Sequence, residues 1–176
     1  MMLLTAKPVI YLVNLSERDY VRKKNKWLPK IKEWIDQNNP SDQLIPFSAS
    51  LEEQLFSLGD EAAQKEYLAK LGEGVSSALG KITKSGYDSL DLIRYFTAGP
   101  DEVRAWSIRR GLKAPQAAGV IHSDFENKFV CGDIMAFDDL KEAGSENACR
   151  ANGKLAQKGK TYEMVDGDIA HWKCGA

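Results

Sequence analysis

Two short apolar runs, Pro-Val-Ile-Tyr-Leu-Val at 8–13 and Gln-Leu-Ile-Pro-Phe at 43–47, flank one basic stretch with helical spacing. A continuous run of β-branched and aromatic residues suits a strand buried on both faces of a parallel sheet. Parallel strands cannot be joined by a tight turn, so the stretch between them must be a crossover. Tyr20, Trp27, Leu28, Ile31, Trp34 and Ile35 recur at helical spacing and are assigned to its core face, while Arg22, Lys23, Lys24 and Lys26 form the other face. Pro29 falls inside this pattern, where it should kink or split the helix.

Ser16 with Asp19 reads as a capping pair for the crossover helix, and Ser50 with Glu53 repeats that signature ahead of Leu51, Leu55 and Leu58. Further helices are expected over 60–71 and 75–85, the second closed by Gly86. Strand, helix, strand, helix is the rhythm of an α/β sheet. The character then changes. "LIRYFTAGPDEVRAWSIRRG" reads as two strands around a Gly-Pro turn, and "APQAAGVIH" as a helix with Pro115 at its first position. "FVCGDIMAF" is a strand, "DDLKEAGSENACRANG" one or two short helices, and "KTYEMVDGDIAHW" a closing pair of strands around Asp166-Gly167-Asp168. Strands with one principal helix on a single face make a small α+β domain. The expected division is residues 1–88 and 89–176.

Charge is regional. The formal net charge is -1, which argues against global attraction to nucleic acid or membrane, but residues 18–32 hold seven basic residues against one acid. Residues 39–102 carry eleven acids against five bases, and residues 94–113 return to a local +3 through Arg94, Arg104, Arg109, Arg110 and Lys113. Cys131, Cys149 and Cys174 are too few and too irregular for a disulfide framework or a zinc site, so reduced thiols and a cytoplasmic location are expected. The start "MMLLTAKPVIYLVNL" reads as the approach to a strand and not as a signal peptide, and no run is long enough to span a bilayer.

Few motifs carry chemistry. "GVSSALGKIT" from Gly74 has five residues between its glycines where a phosphate loop has four, and Ile82 replaces the hydroxyl residue that would hold magnesium. A hydrolase triad from His122, Asp124 and Ser107 or Ser123 lacks a nucleophile elbow, and a capping or surface role suits His122 better. A metal site drawing on His122, His171 and the cysteines fails on spacing. Asn14-Leu15-Ser16-Glu17 is more informative, because ligands bind at the carboxyl ends of strands in an open α/β sheet. An asparagine amide can pair with adenine, and a glutamate where guanine-binding sites place an aspartate removes guanine's partner. The alternative, a helix cap and nothing more, stays open on the pattern alone. Ser48, Ala49 and Ser50 end the next strand, where backbone amides can grip a base or its sugar.

"KPVIYLVNLSERDYVRKKNKWLPKIKEWID" and "YFTAGPDEVRAWSIRRGLKAPQAAGVIHSDFENKF", continued by "GSENACRANGK" and "YEMVDGDIAHWK", resemble the Obg-like ATPases, or YchF family, of P-loop NTPases. The resemblance covers essentially the whole chain and implies its carboxy-terminal portion. The fold it implies is an α/β remnant of a P-loop nucleotide-binding domain followed by an α+β β-grasp (ubiquitin-like) TGS domain. It also implies adenine recognition by Asn14, Leu15, Glu17, Ser48, Ala49 and Ser50, with Leu15 offering its backbone and aliphatic side chain to the base. ATP with Mg2+ would be the parent's ligands. Without phosphate loop, magnesium threonine or switch, the chain alone is expected to bind ATP only weakly and not to hydrolyse it.

Ribosome or ribosomal RNA is the partner implied for Arg94, Arg104, Arg109, Arg110, Lys113 and the 18–32 helix, with no DNA specificity and no membrane partner. An exposed apolar face of the incomplete sheet could support a dimer. Pro29 and the ending "HWKCGA" depart from the family pattern. The rival reading is a stand-alone, non-enzymatic β-grasp module that binds ribosome, RNA or a protein.

Overall fold

The computed structural model describes residues 3, 7–99 and 101–175, so most of the start "MMLLTA" and Pro100 of the Gly-Pro turn lie outside the described residues. The chain divides into two compact units, Met1–Ser89 and Leu90–Ala176.

In the first unit, β1 (Ile10–Asn14) and β2 (Gln43–Phe47) pair in parallel, in a register that runs from Ile10 opposite Gln43 to Asn14 opposite Phe47. The crossover is two helices, α1 (Glu17–Arg22) and α2 (Leu28–Asn38). Pro29 is the reason for the division: it sits in the first turn of α2, where its missing N–H has no role in the helix ladder. Ser16 caps α1, its hydroxyl accepting from Asp19 N–H at 3.2 Å. After β2 come α3 (Ala49–Leu58), α4 (Glu61–Leu71, capped by Asp60) and α5 (Leu79–Ser89).

Four expectations for this unit are corrected. β1 is not buried on both faces: among the described residues it pairs only with β2, and Leu12 is 46% exposed. Trp27 and Trp34 are not core residues but stand 54% and 52% exposed, because restarting the helix at Leu28 turns Ile35 inward in their place. Ser50 is not the cap of α3; the helix begins at Ala49, and Ser50 shares a 3.1 Å hydrogen bond with the Ser48 hydroxyl. Finally, Val75–Ala78 is not helical. Ala78 N–H is taken by Glu52 and Leu79 N–H by the Ser77 hydroxyl, so α5 starts later and runs through Gly86.

The second unit is a mixed sheet ordered β4-β3-β7-β5-β6, built from β3 (Leu92–Ala98), β4 (Val103–Arg109), β5 (Phe129–Ala136), β6 (Ala156–Lys158) and β7 (Asp168–Cys174). β3 and β7 run parallel at its centre and the other pairs are antiparallel. Strand alternation assigns the two faces. Ile93, Tyr95, Ile108, Ile134 and Ala170 form one core with Ala114, Ala117 and Ala118 of α6 (Ala114–Gly119) and with Phe125 of α7 (Ser123–Asn127). Methyl side chains let α6 lie close to the sheet, and Tyr95 donates its hydroxyl to Ala117 O at 2.9 Å. Gly132 of β5 is needed where it stands, since a Cβ there would lie 2.6 Å from the Trp172 ring.

The opposite face is covered as well, which corrects the expectation of helix on a single face. Phe96, Met135 and Ile169 pack with Leu140 and Ala143 of α8 (Phe137–Ala143) and with Cys149 of α9 (Glu146–Ala151). The expected strand before Asp166 is also absent. Thr161–Val165 makes only a bridge between Lys113 and Glu163, because Asp168 turns the segment back on itself by accepting from Tyr162 hydroxyl and Val165 N–H, both at 2.9 Å.

Tyr162 is pushed up to about 12 by burial, then by its hydrogen bond to Asp168 and that carboxylate's charge. Burial likewise pushes Tyr95 up to about 12, with Trp172 acting in the opposite sense. Both values lie above the ordinary 10.0, so the unfolded chain releases these protons first. The stabilisation is complete below the unfolded pKa and is withdrawn as pH rises through 10 toward about 12. In an alkaline titration of tyrosinate absorbance, Tyr95 and Tyr162 should be the last of the six tyrosines to ionise, together with loss of near-UV dichroism. Tyr162→Phe should remove one late proton. Ionisation of all six at the ordinary value in a still-folded chain would contradict this.

Candidate functional site

The parallel register brings the ends of β1 and β2 to one edge. Asn14, the last residue of β1, accepts at Oδ1 from Ala49 N–H at 3.0 Å, while Leu15 N–H donates to Phe47 O at 2.8 Å. The two strand-end loops are therefore locked to each other by one side chain and one backbone bond. Ala49 and Ser50 are exposed at the start of α3, but Ser48 is fully buried and presents no hydroxyl to a ligand. Asn14 is exposed, and with one lone pair of Oδ1 engaged, its Nδ2 is the group best placed to meet an acceptor.

Glu17 opens α1 within the same corner, half-buried, and its carboxylate accepts from the Tyr67 hydroxyl at 3.5 Å. Tyr67 also donates to Gln54 Oε1. Desolvation and then the charge of Glu17 hold its phenol above the usual range. The sequence singles out Asn14, Glu17, Ala49 and Ser50, and the structure brings Tyr67 and Gln54 beside Glu17 as well, an approach that depends on how α3 and α4 pack. Two of the six residues are less accessible than the resemblance implies: Ser48 is fully buried, and Leu15 is 9% exposed with its N–H already paired.

Leu15 lines a hollow of about 370 Å³ beside this corner. Leu28 and Pro46 continue the apolar lining, residues 74–78 cross over it, and Lys23 and Lys81 stand at its rim. Two polar anchors hold the crossing segment. Glu52, 9% exposed, accepts from the Ser77 hydroxyl and Ala78 N–H, both at 2.6 Å. Tyr20 donates its hydroxyl to Ser76 O at 2.9 Å, and its pKa is raised by burial and then by Glu52. The segment considered above as a phosphate loop is thus a strap tied down by a carboxylate.

The basic cluster of the second unit is not gathered on one face. Arg104 lies over the Trp106 ring, 4.4 Å from its centroid, on the face that carries α6. Arg94 and Arg109 project from the other face. Arg110 pairs with Asp91 at 3.1 Å, and Lys113 precedes α6 with its N–H donated to Gln116. His122 caps α7, its Nδ1 accepting from Asp124 N–H at 3.2 Å. All three cysteines are free. Among the described residues no group of three or more His, Cys, Asp or Glu comes together to hold a metal ion, and no helix is long and apolar enough to cross a membrane.

Comparison with known proteins relates the chain to one family. The YchF-GTPase_C family, described as a protein of unknown function (DUF933), matches residues 92–175. Obg-like ATPase 1 of Schizosaccharomyces pombe is 61% identical over 173 residues, covering 98% of this chain and 43% of the relative. The Homo sapiens protein of the same name is 56% identical over 170 residues, covering 97% of this chain and 42% of its own length. Among solved structures, the Schizosaccharomyces pombe YchF GTPase aligns with a TM-score of 0.91 at 60% identity, over 97% of this chain and 44% of that one. A GTP binding protein from Pyrococcus horikoshii OT3 aligns with a TM-score of 0.62 at 15% identity, over 96% of this chain and 46% of that one, which speaks to fold alone. The chain spans less than half the length of these relatives.

Glu52→Ala should leave the Ser77 hydroxyl and Ala78 N–H without their acceptor and destabilise the first unit by about 1.5 to 3 kcal/mol. Urea unfolding would measure that loss, and limited proteolysis should show new cleavage within residues 72–78. Glu52→Gln, which retains one acceptor, should fall between. Unchanged stability and protection in Glu52→Ala would show that the strap is held by other contacts.

Proposed function

We propose, since the chain belongs to the Obg-like ATPase (YchF) family, that its first unit forms the adenine side of a nucleotide site and its second a TGS-type surface for the ribosome. The observation that carries the first half is the Asn14–Ala49 hydrogen bond. It fixes the two strand-end loops as a preformed edge, with Asn14 Nδ2, Glu17 and the exposed start of α3 facing the same corner. A base's hydrogen-bonding edge can be read there without the cost of ordering two separate loops. Leu15 serves as the apolar floor behind the corner.

The strand order β4-β3-β7-β5-β6, with its central parallel pair and packed helix, supports a β-grasp reading of the second unit. The first unit, by its parallel strands and crossover, is then part of a P-loop nucleotide-binding domain in a cytoplasmic protein. Phosphates and magnesium are assigned to the further length of the relatives that this chain does not span. Hydrolysis is accordingly assigned to a longer protein, and the role of this chain's residues is to bind and orient the base.

Titration of the purified chain with ATP should give a dissociation constant no tighter than about millimolar, equivalent to about 4 kcal/mol. Asn14→Ala should abolish the remaining adenine preference in competition with GTP. Micromolar affinity, or an Asn14→Ala chain that keeps the preference, would sink this reading of the corner. For the second unit, the charge reversals Arg109→Glu and Arg110→Glu together should reduce ribosome cosedimentation and flatten its salt dependence. Unchanged cosedimentation would exclude that edge as the contact.

A further inference from the structure

Trp27, at the N-cap of α2, and Trp34 within it have no role in the nucleotide corner. Trp27 and Trp34 are seven positions apart, two helical turns, so they share one stripe of the helix about 10.5 Å apart along its axis. Each is more than half exposed. Lys26 and Lys30 Nζ both lie 5.3 Å from the Trp27 ring centroid. Trp34 is braced from behind by Tyr11 of β1, edge-on at 6.3 Å, which holds its ring in place without covering it.

The loop leading into this stripe is basic and tied by its own hydrogen bonds. Lys23 takes a left-handed conformation at φ 51°, and Asn25 joins the two sides of the turn by donating to Asp19 at 2.8 Å and accepting from Trp27 N–H at 2.9 Å. Lys23, Lys24, Asn25 and Lys26 surround a hollow of about 410 Å³. The Lys26 and Lys30 ammonium groups over the exposed Trp27 ring, with Lys23 and Lys24 lining the hollow next to them, form an anion-binding surface with an adjacent stacking platform. Residues 18–32 carry a local +6 in a chain of net charge -1, so the complementary partner is a polyanion that also offers planar apolar faces.

We propose that this loop and the outer stripe of α2 bind single-stranded RNA without sequence preference, the lysines taking phosphates and Trp27 and Trp34 taking bases. The proposal deepens the ribosome reading and rests on it for the class of partner, while assigning side chains in the other unit. Stacking on aromatic rings tolerates any base because every base has a π-face, and a basic groove tracks the backbone. An arriving base displaces one ammonium from the Trp27 ring onto its own phosphate. A membrane surface fits less well: Lys30 and Gln37 interrupt the outer stripe, and the apolar Ile35 faces into the unit.

The test is fluorescence anisotropy of the full chain with a labelled oligouridylate of about twelve nucleotides. Uridylate avoids the adenine corner. Trp27→Ala should weaken binding about five- to fiftyfold, with Trp27→Phe recovering part of it, and the Lys24→Glu, Lys26→Glu pair should both weaken binding and lower its salt slope. Trp27 is exposed, so circular dichroism should report an unaltered fold. Equal affinity for an RNA duplex, with Trp27→Ala unchanged, would overturn the stacking role while leaving ribosome cosedimentation free to succeed or fail separately. Preferential binding to anionic lipid vesicles, or no binding of oligouridylate at low salt, would overturn the proposal as a whole.

Discussion

Parallel pairing of β1 with β2, in a register that ends at Asn14 opposite Phe47, is the constraint on which the chemistry of the first unit depends. Had the strands paired antiparallel, their carboxyl ends would lie at opposite edges and the two loops that follow them could not meet. In the observed register Asn14 needs only one side-chain bond to reach Ala49, and Leu15 continues the backbone ladder by one more step. Everything local to the corner follows: α1 begins with Glu17 pointing toward Tyr67, and α3 begins beside it with exposed Ala49 and Ser50. A short parallel pair is a modest source of stability by itself. The buried Glu52 and the strap it holds add a second tie between α3 and the residues entering α5.

Much of this was legible because the signals were local. The two apolar runs became β1 and β2, Ser16 capped α1 as its spacing with Asp19 indicates, and Pro29 divided the crossover. The errors came where one side chain from far along the chain decides the outcome. Glu52 precedes Ala78 by 26 residues, and by accepting its N–H it keeps Val75–Ala78 out of a helix that periodicity favours. Asp168 similarly converts an expected strand at Thr161–Val165 into a turn. The tryptophans were misassigned for a related reason. Helical spacing places Trp27, Ile31 and Trp34 near one another, but a helix that restarts at Leu28 chooses its buried face by packing, and Ile35 occupies it.

The strand-end corner and the basic cluster were unequally readable. Asn14 and Ala49 lie at strand ends, positions that a sequence marks by the close of an apolar run, so bringing them together required only the parallel pairing. Arg94, Arg104, Arg109, Arg110 and Lys113 are close in sequence, yet a strand alternates its side chains and a hairpin brings two alternations together. Opposite partners share a face: Thr97 and Arg104 lie on one, Arg94 and Ser107 on the other. Proximity along a strand is therefore a poor guide to a charged patch, whereas on α2 a spacing of seven gathers Trp27 and Trp34 on one stripe.

The position of β7 sets an order on synthesis. Asp168–Cys174 is made after every other element of the second unit, yet it lies in the middle of the sheet, between β3 and β5. While the chain is emerging, the β3–β4 hairpin can form, but Phe96 has no Ile169 beside it and Met135 has no partner across the strand. The unit therefore cannot complete its core before β7 has emerged, and until then it presents two unpaired inner strand edges to chaperones or to neighbouring nascent chains.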